Sequence, residues 1–266
     1  IRGLWGGSAG GDPVVAWIER SFDDGSYTLQ WNWRGELRTA ARAASEPLVR
    51  FVQGASEPHV VLARPGREGW SLAIVDWSGN ERNAPPRAPQ WSLRGLDAIE
   101  VDGLVQLAWL EGTNDVLLGR LQSTWTAWRA TWPAEAAAPT ATFPVGAARW
   151  SGVGDVVRLA NRVDGVHLAW PRSDGRLVVT DAQGTDRDLG NGYLLGATAR
   201  GWLWFDEDVV WERAMVDPAR AVLRLPAAPE QVAFAADGAQ VALAWSSGRY
   251  LGGLEVWGVG NAEPYT

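Results

Sequence analysis

The stretch VAFAADGAQVALAW, residues 232–245, joins two short apolar strands through an Asp-Gly pair. Asp237 and Gly238 are the expected signature of a tight hairpin turn, because both residue types tolerate positive φ. The second strand of this stretch, VALAW, recurs along the chain. Its copies are VQLAW at 105–109, VHLAW at 166–170 and, more weakly, VVAW at 14–17 and VVLAR at 60–64. The stretch is therefore one repeat of an architecture rather than an isolated site.

Two kinds of turn accompany these copies. Asp-Gly pairs also precede the two closest copies, at Asp102-Gly103 and Asp164-Gly165. A second turn, in which Asn or Asp is followed three residues later by Gly, comes after several copies. Its examples are Asn32 to Gly35, Asp76 to Gly79 and Asp181 to Gly184. A Gly in the left-handed conformation suits a return hairpin, so each unit is predicted to contain up to four antiparallel strands.

The units repeat at roughly 40 residues, the period of β-propeller blades. The markers are positions 17, 64, 109, 170 and 245, with a degenerate copy near Trp204. The longest interval, 109 to 170, contains the insertion WPAEAAAPTATFP. The sequence predicts an all-β protein, a β-propeller of about six four-stranded antiparallel blades that forms a single domain over residues 1–266. Five or seven blades also fit, and the last unit leaves only NAEPYT, 261–266, for a fourth strand.

The last repeat carries a family resemblance. VAFAADGAQVALAW resembles the strand, SPDG-like turn and strand of TolB-type and WD-repeat propellers. LEVWGVGN, 254–261, is similar to the Trp-containing third strand of a WD-repeat blade. The chain departs from the family pattern at Ala235-Ala236, where Ser-Pro is expected, and it has no Gly-His dipeptide. The resemblance implies the propeller fold and no particular activity, since these propellers serve many functions.

Composition argues against several classes of function. The chain has no Cys, which removes disulfides, thiol nucleophiles and thiolate metal sites. A net charge of −7 argues against a nucleic-acid partner, which needs a clustered basic surface. No run of about 18 apolar residues is present to span a membrane. The Gly-rich stretch GGSAGGD, 6–12, lacks the Lys and the following helix of a phosphate-binding loop, so no cofactor is predicted.

Two further features concern the origin of the chain. All 24 basic residues are Arg, which is typical of a high-GC bacterial genome. The sequence starts at Ile1 without a charged and apolar leader, so we expect either a removed signal peptide or a fragment. This favours an exported protein and leaves a cytoplasmic location open.

Catalytic and metal sites are not predicted. His59 and His167 both fall inside predicted strands, and His167 among apolar neighbours is expected to be a core residue. Paired carboxylates could support glycoside hydrolysis, which gives a hydrolase-like propeller enzyme as one alternative. The candidates lie in loops between strands: Asp23 and Asp24, and Asp206, Glu207 and Asp208. Acidic residues in such loops commonly only solvate a turn.

Trp residues at equivalent repeat positions suggest a second alternative, a carbohydrate-binding propeller. These residues are Trp17, Trp109, Trp170 and Trp245. Stacking of indole rings on sugars would require polar partners that also repeat, yet the segments after the copies differ: IERSFDDGSY, LEGTND, PRSDGR and SSGRY. We therefore expect these Trp residues to fill the space between adjacent blades.

The favoured function is a non-enzymatic binding or scaffold propeller that recognises a protein partner or forms part of a larger assembly. The expected binding face carries the segments that follow the repeated strands. Its residues are Arg20, Asp23, Asp24, Arg64, Arg67, Glu68, Glu111, Asn114, Arg172, Asp174 and Arg249. Mixed charges on divergent loops suit one asymmetric partner. Reversal of Arg64 and Arg172 to Glu is expected to abolish binding without changing stability.

Overall fold

The computed structural model shows β-strands joined by turns and loops. It describes residues 3–87, 92–117, 120–133, 136–150, 156–198, 200–214, 217–225, 227–234, 240–246 and 252–258. Within these ranges no helix is present, and hence none that is long and apolar enough to cross a membrane. The all-β prediction is confirmed.

The strands form six sheets of consecutive antiparallel strands, five with four strands and one with three. The first sheet contains β1 (Gly3–Ala9), β2 (Asp12–Arg20), β3 (Tyr27–Trp33) and β4 (Glu36–Ala43). The second contains β5 (Leu48–Phe51), β6 (His59–Gly66), β7 (Gly69–Asp76) and β8 (Glu81–Asn83). The third contains β9 (Ser92–Val101), β10 (Leu104–Leu117), β11 (Arg120–Pro133) and β12 (Ala141–Ala148). The fourth sheet contains β13 (Arg158–Arg162), β14 (Gly165–Pro171), β15 (Leu177–Thr180) and β16 (Asp186–Gly190). The fifth contains β17 (Tyr193–Ala197), β18 (Gly201–Asp206), β19 (Val209–Ala214) and β20 (Arg220–Arg224). The sixth contains β21 (Pro229–Phe234), β22 (Gln240–Ser246) and β23 (Gly252–Gly258).

Each repeat found in the sequence is the second strand of one sheet. The six markers fall in β2, β6, β10, β14, β18 and β22. The degenerate copy near Trp204 is therefore equivalent to the others. In both the third and the fifth sheet, a Trp of the second strand pairs directly with a Trp of the third. The rings of these cross-strand pairs, Trp109–Trp128 and Trp204–Trp211, are stacked at centroid distances of 6.4 Å.

Most of the predicted turns have the backbone that their residues indicated; at Asp164-Gly165 only Gly165, the first residue of β14, has a positive φ, of 124°. Asp102 and Gly103 join β9 to β10 with φ values of 52° and 73°. The Gly residues of the second turn have φ values of 81° at Gly35, 83° at Gly79 and 84° at Gly184. Such left-handed conformations favour Gly because it has no Cβ. Asp237-Gly238 lies outside the described residues.

The third sheet is longer than the sequence predicted. LEGTND, expected to be a loop, continues β10 as strand, and β10 and β11 each have 14 residues. Thr113 pairs with Thr124 in this extension, where their hydroxyl oxygens lie 3.2 Å apart. β-branched residues of this kind favour strand conformation. The long interval between markers 109 and 170 therefore reflects an extended hairpin as well as the insertion.

The first strands of successive sheets contact one another, β1 with β5, β5 with β9, β9 with β13 and β13 with β17. Gln53 and Ile99 form a parallel bridge just after β5. We call these first strands the inner strands. Successive strands of a sheet run in opposite directions. The links that join second to third strands and the links that join one sheet to the next therefore lie at the same end of the strands, which we name the top face. The other links form the bottom face.

The core lies between neighbouring sheets. Each of the five apolar clusters combines buried residues of two consecutive sheets. Trp109 belongs to the cluster between the second and third sheets, and Trp170 to that between the third and fourth. Burying each such side chain contributes roughly 2–3 kcal/mol.

The described part of the last sheet has three strands, and β1 pairs with β2 inside the first sheet. In the described residues, each sheet thus consists of strands that follow one another in the chain. NAEPYT, considered for a fourth strand, lies outside the described residues. That residues 1–266 form a single domain stays a prediction.

Candidate functional site

Most of the predicted binding residues lie at the top face. Exposed members come from three links between second and third strands and the strand ends beside them: Arg20, Asp23, Asp24, Arg67, Glu68 and Asp174. Arg64 and Arg172 are half-buried at the same face. Asn114 lies in β10, but its side chain is outside the described part of the structure, as is the whole of Arg249. The structure therefore brings the described polar links to one side of the molecule.

The link between β2 and β3 is ordered by its own hydrogen bonds. Ser21 N–H donates to the carbonyl of Ser26 at 2.8 Å. Ser26 N–H in turn donates to Asp24 Oδ1 at 2.9 Å. The bond from Ser26 N–H, with further hydroxyl contacts from Ser26 and Ser21, lowers the pKa of Asp24 to about 2. Asp24 is therefore a charged, turn-stabilising group at neutral pH.

Phe22 stands at the tip of this ordered link with its ring fully exposed. Exposed Phe side chains on a pre-ordered loop are typical anchors of protein interfaces, because little conformational entropy is lost on binding. The sequence reasoning missed this residue. Its signal was a single aromatic residue within the otherwise polar stretch SFDDGS.

The link between β14 and β15 is organised by an ion pair. Arg172 Nε donates to Asp174 Oδ2 at 2.9 Å, and Arg176 N–H donates to Asp174 Oδ1 at 3.1 Å. Bonding to Arg172 is the main reason that the pKa of Asp174 falls to about 2, and the pKa of Arg172 is raised by the same contact. The side chains of Arg172 and Asp174 thus hold each other in a fixed orientation at the surface.

Arg64 does not fit the expectation that its reversal would leave stability unchanged. Its guanidinium bonds both oxygens of Glu81, with Nη2 2.7 Å from Oε2. The two side chains are 17% and 28% exposed, so solvent screens the pair only in part. Bonding to Arg64 lowers the pKa of Glu81. A Glu at position 64 would place two carboxylates together.

Glu111 lies inside the molecule rather than at the surface. Its side chain is 3% exposed and bonds Arg87 through both oxygens, and Trp109 Nε1 donates to Oε2 at 3.3 Å. The guanidinium of Arg87 also lies over the rings of Trp109 and Trp128, at 5.4 and 4.6 Å from their centroids. Glu111 was placed on the surface because its segment was interpreted as a loop; in the structure it belongs to strand β10.

The repeated Trp residues with described side chains mainly serve packing. Trp109 and Trp170 are fully buried between sheets, as expected. Trp17 is half-buried and donates from Nε1 to Glu19 Oε1 at 2.8 Å. The side chain of Trp245 is outside the described part of the structure. This arrangement leaves few of the equivalent rings free to stack on a sugar.

His167 is a core residue, fully buried in β14, with Nε2 2.8 Å from Asp164 Oδ1. His59 begins β6, and its Nδ1 lies 3.0 Å from the carbonyl of Glu57. Within the described residues, no three His, Asp or Glu side chains converge in a way that could hold a metal ion.

The acidic candidates for hydrolysis lie in two separate turns. Asp23 and Asp24 occupy the link after β2, and the second group lies between β18 and β19. In that second turn Glu207 has a φ of 56°, and Asp208 bonds Arg224 at 2.5 Å. Asp24 and Asp208 thus bond local partners, as acidic residues in turns commonly do.

Comparison with known proteins finds similarity at the level of structure only. No family model matches the sequence, and no curated protein matches it. The β-propeller domain of the trilobed protease from Pyrococcus furiosus, described as having an open velcro topology, aligns with a TM-score of 0.60 at 10% identity, over 96% of this chain and 82% of that one. The chain folds as a β-propeller. TolB from Acinetobacter baumannii aligns with a TM-score of 0.56 at 12% identity, over 92% of this chain and 61% of that one.

The propeller fold by itself does not indicate an activity. Acylaminoacyl peptidase from Pyrococcus horikoshii aligns with a TM-score of 0.59 at 9% identity, over 96% of this chain and 44% of that one. The propeller described here therefore spans less than two thirds of the TolB and peptidase chains. At such identities the likeness concerns the fold alone, and function has to be argued from the residues of this chain.

Proposed function

We propose that this propeller is a non-enzymatic binding module, part of a larger assembly, which recognises a protein partner through the top face around Phe22. The observation that carries the proposal is the fully exposed ring of Phe22 on a link ordered by Ser21, Asp24 and Ser26. Burial of this ring against a partner would be favourable, because it removes apolar area from water.

The surroundings of Phe22 support an interface with one specific partner. Arg20 and Asp23 lie close to Phe22 in the sequence, and both are exposed. The other links of the top face carry different residues, among them Arg67, Glu68 and Asp174. An aromatic anchor surrounded by charges of both signs matches the usual organisation of interfaces, in which an apolar centre has a polar rim.

The test is affinity capture from the native source with the full chain and two variants, Phe22→Ala and Val163→Ala. Val163 is as exposed as Phe22 but lies between β13 and β14, on the bottom face, so it controls for nonspecific hydrophobic binding. Captured proteins are identified, purified and titrated. Phe22→Ala should weaken the partner about tenfold or more, whereas Val163→Ala should leave it unchanged.

Equal binding by both variants would overturn the proposal. The two alternatives have separate readouts. Saturable quenching of Trp fluorescence by a member of a glycan panel would favour the carbohydrate-binding propeller. Turnover of a glycoside that is lost in Asp24→Asn or Asp208→Asn would favour the hydrolase-like enzyme.

A further inference from the structure

Side chains on three neighbouring inner strands meet at one level. Arg50 on β5 donates from Nε to the carbonyl of Leu96 on β9 at 2.8 Å. On the other side of β9, the N–H of Leu159 donates to Asp97 Oδ2 at 2.8 Å. The charges of Arg50 and Asp97 both act on the guanidinium of Arg158, so these three side chains lie near one another across three sheets.

A β-bulge in β9 creates this arrangement. The pairing of β9 with β10 skips Gly95 and Leu96, and Gly95 has a φ of 59°. The freed carbonyls then serve the neighbouring sheets, that of Gly95 accepting from Val157 N–H at 3.3 Å and that of Leu96 from Arg50. Bulges of this kind redirect groups at the ends of strands and are common beside functional sites.

Positive charge exceeds negative charge at this level. Arg50 and Arg158 are both half-buried, and their described hydrogen bonds go to backbone carbonyls. Asp97, the carboxylate that attracts Arg158, is buried and already accepts a backbone N–H. Burial, followed by the charge of Arg50, lowers the pKa of Arg158 to about 10. A further anion would relieve this repulsion.

Arg158 is placed for access from the top face. It is the first residue of β13, a strand that begins at that face. A guanidinium has five N–H donors in a planar fork that matches the two oxygens of a carboxylate.

We propose that Arg50 and Arg158 form an oxyanion site among the inner strands, reached from the top face, and that it receives the carboxylate of an acidic side chain on the protein partner. The identity of this ligand rests on the proposed function; the anion site itself does not. Guanidinium–carboxylate bonds in a half-buried site are stronger than in open solvent, because fewer water molecules screen them.

Citrate is the probe for the site, measured by calorimetric titration of the full chain at constant ionic strength set with chloride. Citrate should bind wild type saturably. Arg158→Met and Arg50→Gln should each weaken it about tenfold or more, the loss of one charge-assisted contact. Arg67→Met, an exposed Arg on the same face, should bind citrate as wild type does. Near-UV circular dichroism verifies that each variant is folded. Two variants are used because a substitution at the half-buried Arg158 can itself affect folding.

Three outcomes would overturn the inference. The first is the absence of saturable citrate binding by wild type. The second is equal citrate binding by Arg158→Met, Arg50→Gln and Arg67→Met. The third is a rise in stability that is linear in citrate concentration for every variant, which is a general salt effect. The assignment of the ligand to the partner has its own test, because Arg158→Met should also weaken the captured partner about tenfold. If Phe22→Ala leaves partner capture intact while citrate binding needs Arg158, the proposed function fails and the anion site stands.

Discussion

Arg87 holds the buried carboxylate of Glu111 through two hydrogen bonds, with Nε 2.7 Å from Oε1 and Nη2 2.6 Å from Oε2. The pair joins the segment after β8 to the second strand of the third sheet, and Trp109 donates to the same carboxylate. It therefore contributes to the contact between two blades at the top face, beneath the links proposed to bind a partner.

Glu111→Gln should destabilise the protein by roughly 2–4 kcal/mol, because it leaves the guanidinium of Arg87 without its counter-charge in a largely buried place. Urea unfolding at neutral pH, followed by Trp fluorescence, measures this loss. Glu68→Gln is the matched control, since Glu68 is exposed at the same face and should change stability by less than about 0.5 kcal/mol. Equal stability of the two variants would contradict a structural role for Glu111.

The pair formed by Arg64 and Glu81 should make stability depend on pH. Because bonding to Arg64 lowers the pKa of Glu81 in the folded protein, the pair stabilises the fold above the ordinary value of 4.5. This contribution is lost as the pH falls through the lower folded value. Arg64→Met should therefore cost about 1 kcal/mol at neutral pH and progressively less in acid.

The measurement for this pair is the urea midpoint of wild type and Arg64→Met at several pH values. Arg67→Met, which alters an exposed Arg in the next turn, should show no such pH-dependent difference. A difference between Arg64→Met and wild type that stays constant down to about pH 2 would exclude Glu81 as the partner responsible.

Asp24 should control the order of the link that presents Phe22. Its pKa of about 2, set mainly by the bond from Ser26 N–H, predicts that the link keeps its structure at pH 3, where an ordinary Asp is mostly protonated. NMR titration of the Ser26 amide should show the transition near pH 2. Asp24→Ala removes the acceptor and should weaken partner binding while the unfolding midpoint stays unchanged, whereas Asp24→Asn, which keeps an acceptor oxygen, should weaken binding less.

Local patterns allowed the propeller to be predicted from the sequence. Asp102-Gly103 and Asp181 to Gly184 specify turns through φ preferences of a few residues, and strand alternation specifies which faces are buried. The second strand of each blade could be found even at Trp204, where the repeat is degenerate. The period of these short-range signals was sufficient for the architecture.

The candidate site depended on features that are not local. Glu111 was placed on the surface because nothing in LEGTND shows that strand β10 continues through it. Arg50 and Arg158 are 108 positions apart and meet only through the register of three inner strands, which a bulge at Gly95 adjusts. Phe22 could have been found, since one aromatic residue in a polar turn is a visible signal.

Gly146 tests the assignment of the repeated Trp residues to packing. A Cβ at this position of β12 would lie 2.7 Å from Cη2 of Trp170, a buried ring between the third and fourth sheets. Gly146→Ala should therefore destabilise the protein by roughly 1–3 kcal/mol through overpacking and should shift the emission of Trp170. Gly6→Ala is the control, because Gly6 also lies in a strand and a Cβ there meets nothing within 4 Å. If Gly146→Ala were as stable as Gly6→Ala, Trp170 would have room to move, and its role as a fixed filler between blades would be wrong.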